Sequence, residues 1–339
     1  MEALQIIWFL LIGVLITGYA ILDGFDLGVG VLHLFARNDT ERRLHMNAIG
    51  PVWDGNEVWL LTGGGAIFAA FPPVYATVFS GLYLAFMLVL LALIFRAVSM
   101  EFRSKLEDAG WRRFWDWGFG LGSLLASLLF GAAIGNIIRG LPIDASGFLK
   151  VSFFALLNPY SLLMGVMTVV MFAMHGALYM ALKAGGDLQK RMVSWAGKAW
   201  VAFLALYVIA TAWTAITSPF MFEGVFGNTL WWLAVMVMLG SVVYIPIANS
   251  HNQHLHAFLS SSAAIASITA LMGIGLFPRM VPSSIDLANS LTIYGHSSTQ
   301  ATLTVMLVIA LIGVPIMLGY TFFIYRTFAG KTEITEESY

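Results

Sequence analysis

Nine long apolar stretches occupy most of this 339-residue sequence and leave only short connections between them. A helix needs about 20 mostly apolar residues to cross the hydrocarbon core of a bilayer, and each stretch is that long. Only 10% of the residues are charged, whereas soluble domains carry about 25%. The sequence therefore predicts an all-α integral membrane protein that forms a single membrane domain over residues 1–339. The predicted spans are 5–35, 50–71, 74–97, 115–138, 160–182, 197–217, 228–249, 256–276 and 302–326.

Basic residues are distributed unevenly between the two ends of this predicted bundle. Fourteen of the 17 Lys and Arg residues fall on one side, in the connections 36–49, 96–113 and 183–198 and in the C-terminal tail. Because Lys and Arg accumulate in cytoplasmic loops, this bias predicts an N-terminus outside and a C-terminus in the cytoplasm. An odd number of spans agrees with that orientation. The connection 250–255 is the exception, since the count makes it cytoplasmic although it contains no Lys or Arg.

Two longer connections lie on the opposite side, at 139–159 and 277–301. Both contain Pro, Gly and polar residues. Connecting segments of this kind run over the surface of the elements that they join. We interpret the two connections as caps on the bundle.

Four carboxylates lie within two of the apolar stretches. Asp23 and Asp26 belong to the first predicted span, and Asp54 and Glu57 belong to the second. An ionisable side chain in a spanning helix costs several kcal/mol unless it finds a partner or water, so it marks a candidate functional site. The members of each pair are three residues apart and share a helix face. We expect all four to converge near the cytoplasmic surface with Arg96, which ends the third predicted span.

This group of acids has three interpretations. Carboxylates in a medium of low dielectric constant tend to take up a proton, and a proton relay from the cytoplasm requires such groups. In the second interpretation, Arg96 neutralises one or two of the acids and holds three helices together. In the third, the carboxylates and the Asn56 amide ligate a hard cation. Because four acids exceed one arginine, a purely structural role does not account for the whole group.

Cysteine and histidine limit the cofactors that the chain can hold. Cysteine is absent, which excludes disulfides, thiolate metal sites and iron–sulfur clusters in this chain. Haem needs axial ligands inside the bundle, and only His33 and His175 lie within predicted spans, apart from His256 at the first residue of the span 256–276. The tract His251, His254 and His256 is interpreted as a solvated loop and not as a metal site. A net charge of −1 gives no general attraction to nucleic acid.

Two long motifs give the sequence a family resemblance. Gly18–Gly30 (GYAILDGFDLGVG) and Gly50–Leu60 (GPVWDGNEVWL) closely resemble subunit II of cytochrome bd ubiquinol or menaquinol oxidases. Shorter matches at Phe95-Arg96, Phe277-Pro278 and 311–315 extend the resemblance over essentially the whole chain. The related cyanide-insensitive branch of the family fits these residues equally.

The resemblance implies a fold and an assembly. The expected fold has nine helices, arranged as two four-helix bundles plus one peripheral helix. The expected complex oxidises quinol and reduces O2 to water with protons from the cytoplasm, and haems b558, b595 and d lie in the haem-bearing partner, subunit I. This chain is then a haem-free subunit without catalytic residues or metal, in a bacterial or archaeal cell membrane. Some family members also hold a structural quinone or a small single-helix accessory subunit.

The resemblance also assigns roles to individual residues. Asp54 matches a residue on a proton route that reaches the partner subunit. Glu57, Asp23 and Asp26 are expected to belong to the same route, with Arg96 as their charge partner. In some members an oxygen route passes the position of Trp59. The competing hypothesis is a stand-alone transporter that couples its buried carboxylates to protons or cations.

Overall fold

The structure, a computed structural model, describes residues 1–149 and 151–334. Lys150 and residues 335–339, which belong to the predicted single domain, lie outside this part. The described chain contains eight helices that are long and apolar enough to cross a membrane, or nine spans if one bent pair is counted as a span. The predicted all-α membrane class is confirmed. The helices are α1 Glu2–His33, α2 Asp39–Ile49, α3 Trp53–Ala70, α4 Pro72–Gly81, α5 Tyr83–Phe102, α6 Ala109–Arg139, α7 Phe153–Leu156, α8 Pro159–Lys183, α9 Gly186–Thr217, α10 Thr229–Ser250, α11 His254–Leu276 and α12 Gln300–Thr327, and the strands are β1 Arg279–Val281 and β2 Leu291–Thr292.

The spanning helices form two groups of four and one outlying helix. In the first group, α1 packs against α3 and α6, and α5 packs against α6. In the second group, α8 packs against α9 and α11, and α10 packs against α11. The outlying spanning helix is α12, which touches α1 and α3 and leaves most of its side chains exposed. The predicted arrangement of two four-helix bundles plus one peripheral helix is confirmed.

The two bundles meet along α8, which packs against α6 and crosses α1. The backbones touch at Gly28 and Gly176, because a Cβ atom at Gly28 would lie 1.8 Å from the carbonyl oxygen of Phe172. A Cβ atom at Gly176 would lie 2.6 Å from the carbonyl carbon of Gly28. Small residues permit this close approach of helices in membranes, where packing rather than the hydrophobic effect drives helix association.

Replacing Gly28 by alanine is expected to destabilise the protein by about 3 kcal/mol, because the methyl group meets backbone atoms that cannot rotate away. Thermal unfolding of the purified chain in detergent measures this effect. Gly13→Ala is the matched control on the same helix, since a Cβ atom there meets nothing within 4 Å. Equal unfolding temperatures for the two variants would contradict the close contact between the bundles.

The chain bends sharply between α3 and α4. Their axes differ by 120°, and the break falls at Phe71, before Pro72 and Pro73. Proline lacks the N–H group that would continue α3, and its fixed backbone angle suits the first turn of a new helix. The predicted third span, 74–97, is therefore wrong at its start. Pro72–Gly81 is a separate helix, and the spanning helix begins only at Tyr83.

The two long connections bind each other at one end of the molecule, which we call the capped end. Strand β1 pairs antiparallel with β2 inside the second connection. Leu141 of the first connection donates its N–H to the carbonyl oxygen of Pro282 at 2.9 Å, and the hydroxyl of Ser283 donates to the carbonyl oxygen of Ile143 at 2.7 Å. The interpretation of these connections as caps thus agrees with their contacts.

The opposite end, where α2 lies and α5 leads into α6, is called the basic end. Here the predicted loop 36–49 is wrong, because residues Asp39–Ile49 form α2. Asn38 caps this helix, since its side-chain oxygen accepts a hydrogen bond from the N–H of Glu41 at 2.9 Å. An Asn in this position satisfies an N–H group that has no partner within the helix. The helix α2 is not among those apolar enough to span a membrane.

Candidate functional site

Arg96 forms the centre of a buried group of charges. A Cβ atom at Gly122 would lie 2.6 Å from the carbonyl oxygen of Ala92, so the glycine lets α6 approach α5 closely beside Arg96. The guanidinium reaches across to α1 and α3. Its Nη2 atom lies 2.7 Å from Asp23 Oδ1 and 3.8 Å from Asp26 Oδ2, and its Nη1 atom lies 2.6 Å from Glu57 Oε1. We call Arg96, Asp23, Asp26 and Glu57 the Arg96 cluster.

The Arg96 cluster holds more acids than bases. The side chains of Asp23 and Asp26 are 0% exposed, that of Arg96 is 1% exposed, and that of Glu57 is 21% exposed. Three ionised carboxylates around one guanidinium would leave two uncompensated negative charges in a medium of low dielectric constant, which is strongly unfavourable. The arrangement therefore favours a cluster that holds at least one proton.

A hydrogen-bonded amide connects this cluster to the peripheral helix. The Asn56 Nδ2 atom donates to Asp26 Oδ2 at 2.7 Å and to the carbonyl oxygen of Leu22 at 3.3 Å. The hydroxyl of Tyr325, on α12, donates to Asn56 Oδ1 at 3.0 Å. Tyr325 is not predicted from the sequence, because 269 positions separate it from Asn56 and nothing local indicates the contact.

Asp54 lies outside the Arg96 cluster. Its side chain is exposed, and its Oδ1 atom accepts a hydrogen bond from the N–H of Gly55 at 2.7 Å. Three residues along an α-helix turn the direction of a side chain by about 300°, so Asp54 and Glu57 point about 60° apart. That difference directs Glu57 toward Arg96 and Asp54 toward the exposed face of α3. The structure thus brings three of the four predicted carboxylates together and leaves the fourth outside.

Trp59 lies inside the first bundle. Its side chain is buried between α3 and α1, and a Cβ atom at Gly18 would lie 2.1 Å from its ring. The ring belongs to the apolar core that contains Leu15 and Tyr19. The Gly18–Trp59 contact therefore fixes the distance between the two helices that supply the carboxylates.

The rings of His175 and His33 both contact protein atoms. The ring of His175 lies with Nδ1 at 2.6 Å from the hydroxyl of Ser261 and Nε2 at 3.0 Å from the carbonyl oxygen of Ile21. Neither nitrogen remains for an axial bond to iron. In His33, Nε2 lies 2.9 Å from a carboxylate oxygen of Asp116. These contacts do not favour haem ligation by this chain.

The acids of the Arg96 cluster and the histidine tract are the candidate metal ligands of this chain. Within residues 1–149 and 151–334, no group of three or more His, Asp or Glu side chains has an arrangement that could hold a metal ion. In the Arg96 cluster, the guanidinium occupies the position between the carboxylates that a cation would need. His251, His254 and His256 lie where α10 ends and α11 begins, so the predicted loop is shorter than expected.

A second charged group lies at the basic end and was missed from the sequence. Asp116 Oδ1 lies 2.6 Å from Arg103 Nε and 2.9 Å from His33 Nε2, and its Oδ2 atom lies 3.5 Å from Arg42 Nε. The Arg103 Nη2 atom also lies 2.5 Å from Asp39 Oδ1. Partial burial acts to raise the pKa of Asp39, but the guanidinium of Arg103 outweighs it and holds that pKa below its usual value. Each of the two carboxylates here lies near two arginines, so neither acid is uncompensated, which is typical of a structural group.

Known proteins share both the fold and the sequence family of this chain. The fold matches a chain of the solved bd oxidase from Geobacillus thermodenitrificans with a TM-score of 0.79 at 16% identity, over 96% of this chain and 98% of that chain. The family model of cytochrome bd terminal oxidase subunit II matches residues 4–328, and the chain belongs to that family.

Two curated relatives match over nearly their whole length. The chain is 40% identical to cytochrome bd-I ubiquinol oxidase subunit 2 of Escherichia coli K12, over 99% of this chain and 96% of the relative. It is 38% identical to cytochrome bd ubiquinol oxidase subunit 2 of Bacillus subtilis 168, over 99% of both. The predicted family is confirmed, and the chain is a multi-pass subunit of a terminal oxidase in the bacterial inner membrane. The hypothesis of a stand-alone transporter gains no support from these matches.

Proposed function

We propose that this chain is the haem-free subunit II of a complex that oxidises quinol and reduces O2 to water, and that it supplies part of a proton route to its partner. The observation that carries this proposal is the Arg96 cluster, in which three carboxylates share one buried guanidinium. The relatives named as ubiquinol oxidase subunits support the assignment of the complex. In this account, haems b558, b595 and d belong to subunit I, and this chain contributes no catalytic residue.

The proposed route uses the carboxylates according to their exposure. Glu57 is the only member of the Arg96 cluster in contact with the exterior of the chain, so it exchanges protons between the cluster and the surface. Asp23 and Asp26, which are fully buried, store the exchanged proton beside Arg96. Asp54 is exposed near the start of the same helix as Glu57. It forms the end of the route at the protein surface.

The partner subunit is proposed to cover the exposed face of α3. Val58 and Leu61 are exposed on α3 after Asp54, and Gly55, Gly64 and Gly65 have open space where a side chain would lie. A carboxylate is costly against lipid tails, whereas a partner can supply it with polar contacts. A subunit docked on this face would receive protons directly from Asp54.

The proposed orientation places the basic end in the cytoplasm and the N-terminus outside. The positive-inside rule supports it, since the connections at the basic end contain most of the Lys and Arg residues. Protons would then enter from the cytoplasm, at the end of the molecule that is nearer to Glu57.

Further proposals are an oxygen route past Trp59, a structural quinone and a small single-helix accessory subunit. The apolar wall that Trp59 forms with α1 supports the first of these.

Asp54→Asn tests the end of the route at the protein surface. The amide cannot carry a proton, so we expect quinol-dependent O2 uptake by the assembled complex to fall by about tenfold or more, while the haem spectrum stays unchanged. Asp187→Asn is the matched control, because the side chain of Asp187 is fully exposed on α9, outside the Arg96 cluster. Full turnover of an assembled Asp54→Asn complex would remove Asp54 from the route. Proton-coupled uptake by the chain alone in liposomes would contradict the assignment to an oxidase.

A further inference from the structure

A cavity opens at the basic end, separate from the Arg96 cluster. Its volume is about 590 Å³, and its wall is built by α1, α2 and α6 and by the segment that joins α5 to α6. Arginines outnumber carboxylates in the wall by four to three. The four arginines are Arg42, Arg103, Arg112 and Arg113.

Two of these arginines retain donors for an anion. Arg103 is committed, since it lies 2.6 Å from Asp116 and 2.5 Å from Asp39. Arg112 reaches Asp39 with one terminal nitrogen at 3.7 Å, which is a long contact for an ion pair. Arg113 is exposed and forms no ion pair with any residue in the described part of the chain. A guanidinium has five N–H donors in a fork that matches the oxygens of a phosphate group.

An apolar stripe leads from this cavity along the spanning helix α6. Trp117 lies in the cavity wall, and Leu121 and Leu125 follow at intervals of four residues, which places the three side chains on one helix face. All three are exposed. Tryptophan is enriched at the level of lipid headgroups. A free phosphate ion would use only the arginines, whereas a phospholipid would use the arginines and the stripe.

We propose that this cavity binds the phosphate group of an anionic phospholipid, with an acyl chain along Trp117, Leu121 and Leu125. Basic pockets between spanning helices bind anionic headgroups in this way. The site is independent of the proton route, because none of these residues belongs to the Arg96 cluster. The bound lipid would also join α6 to α2, since Arg42 on α2 and Arg112 on α6 both line the cavity.

The test uses the full chain in its complex, delipidated in detergent. Phosphatidylglycerol or phosphatidylcholine with identical acyl chains is added back, and retained lipid is counted by native mass spectrometry. We expect the double variant Arg112→Gln/Arg113→Gln to bind phosphatidylglycerol about 30-fold more weakly than the wild type, since each arginine near a membrane surface contributes about a fivefold change. Lys190→Gln/Lys198→Gln is the matched control, because it removes two exposed charges from α9.

Five outcomes decide the proposal. Preferential retention of phosphatidylglycerol, lost in the arginine variant and kept in the lysine variant, supports it. Equal retention by the arginine variant and the wild type overturns it, and so does equal retention of phosphatidylcholine. Inorganic phosphate at millimolar concentration is the last probe. If it displaces the lipid and raises the unfolding temperature of the complex as much as the lipid does, the ligand is a free anion and the assignment to a lipid fails. If a partner subunit fills the cavity, lipid binding will not depend on the arginines, and the proposal is overturned.

Discussion

Replacing Arg96 by alanine is expected to prevent assembly of the oxidase complex, with a loss of stability of about 3–5 kcal/mol. The reason is the composition of the Arg96 cluster. Removal of the guanidinium leaves Asp23, Asp26 and Glu57 side by side without a positive partner, and two of these three acids are fully buried. Taking one partner out of a buried ion pair is far more costly than removing the pair as a whole.

Two variants control for this interpretation. Arg96→Lys keeps the charge and should retain part of the complex yield, although a single ammonium cannot reproduce the two-sided contact of the guanidinium. Arg96→Ala combined with Asp23→Asn, Asp26→Asn and Glu57→Gln removes all three uncompensated acids and should recover assembly. The yield of purified complex per cell and its unfolding temperature measure both effects. If Arg96→Ala and Asp54→Asn gave equal yields, the ion pairs would not be what holds this region together.

The Glu57→Gln variant is expected to lower quinol-dependent O2 uptake by about 100-fold, within the range attributed to a positioned proton donor. Its amide oxygen can still accept a hydrogen bond from Arg96, so the complex should assemble with an unchanged haem spectrum. Glu41→Gln is the matched control at the basic end, because Glu41 forms an ion pair with Arg191 outside the Arg96 cluster. Turnover at the wild-type rate in an assembled Glu57→Gln complex would show that protons bypass the cluster.

The sequence predicted the centre of the site from simple rules. Three-residue spacing placed Asp23 and Asp26 on one face, and the distribution of Lys and Arg placed Arg96 at the same depth. The first inference depends on helix geometry, which long apolar helices follow closely, and the second depends on the accumulation of Lys and Arg in cytoplasmic loops. The rule that residues three apart share a helix face was too coarse to place Asp54, since a difference of about 60° in direction decides whether a side chain enters the bundle.

Other features depend on contacts that no local pattern reveals. The break at Pro72 falls between the predicted spans 50–71 and 74–97, but a second break, where α4 ends at Gly81 and α5 begins at Tyr83, divides an apolar run whose hydropathy gives no sign of it. Tyr325 reaches Asn56 only because the peripheral helix packs against α3, and Asp116 meets Arg103 and His33 only once α6 has packed against α1. Asp116 nevertheless carries the signal that identified the other acids, namely a carboxylate within an apolar stretch.

The most direct test of the account is redox-induced infrared difference spectroscopy of the complete oxidase. If the Arg96 cluster exchanges protons during turnover, reduction and reoxidation should change the absorption of protonated carboxyl groups, and the band should shift in D2O. We expect this band to be lost or shifted in Asp26→Asn and in Glu57→Gln but to be unchanged in Asp187→Asn. The same band in wild type and in both cluster variants would contradict the claim that these acids carry protons.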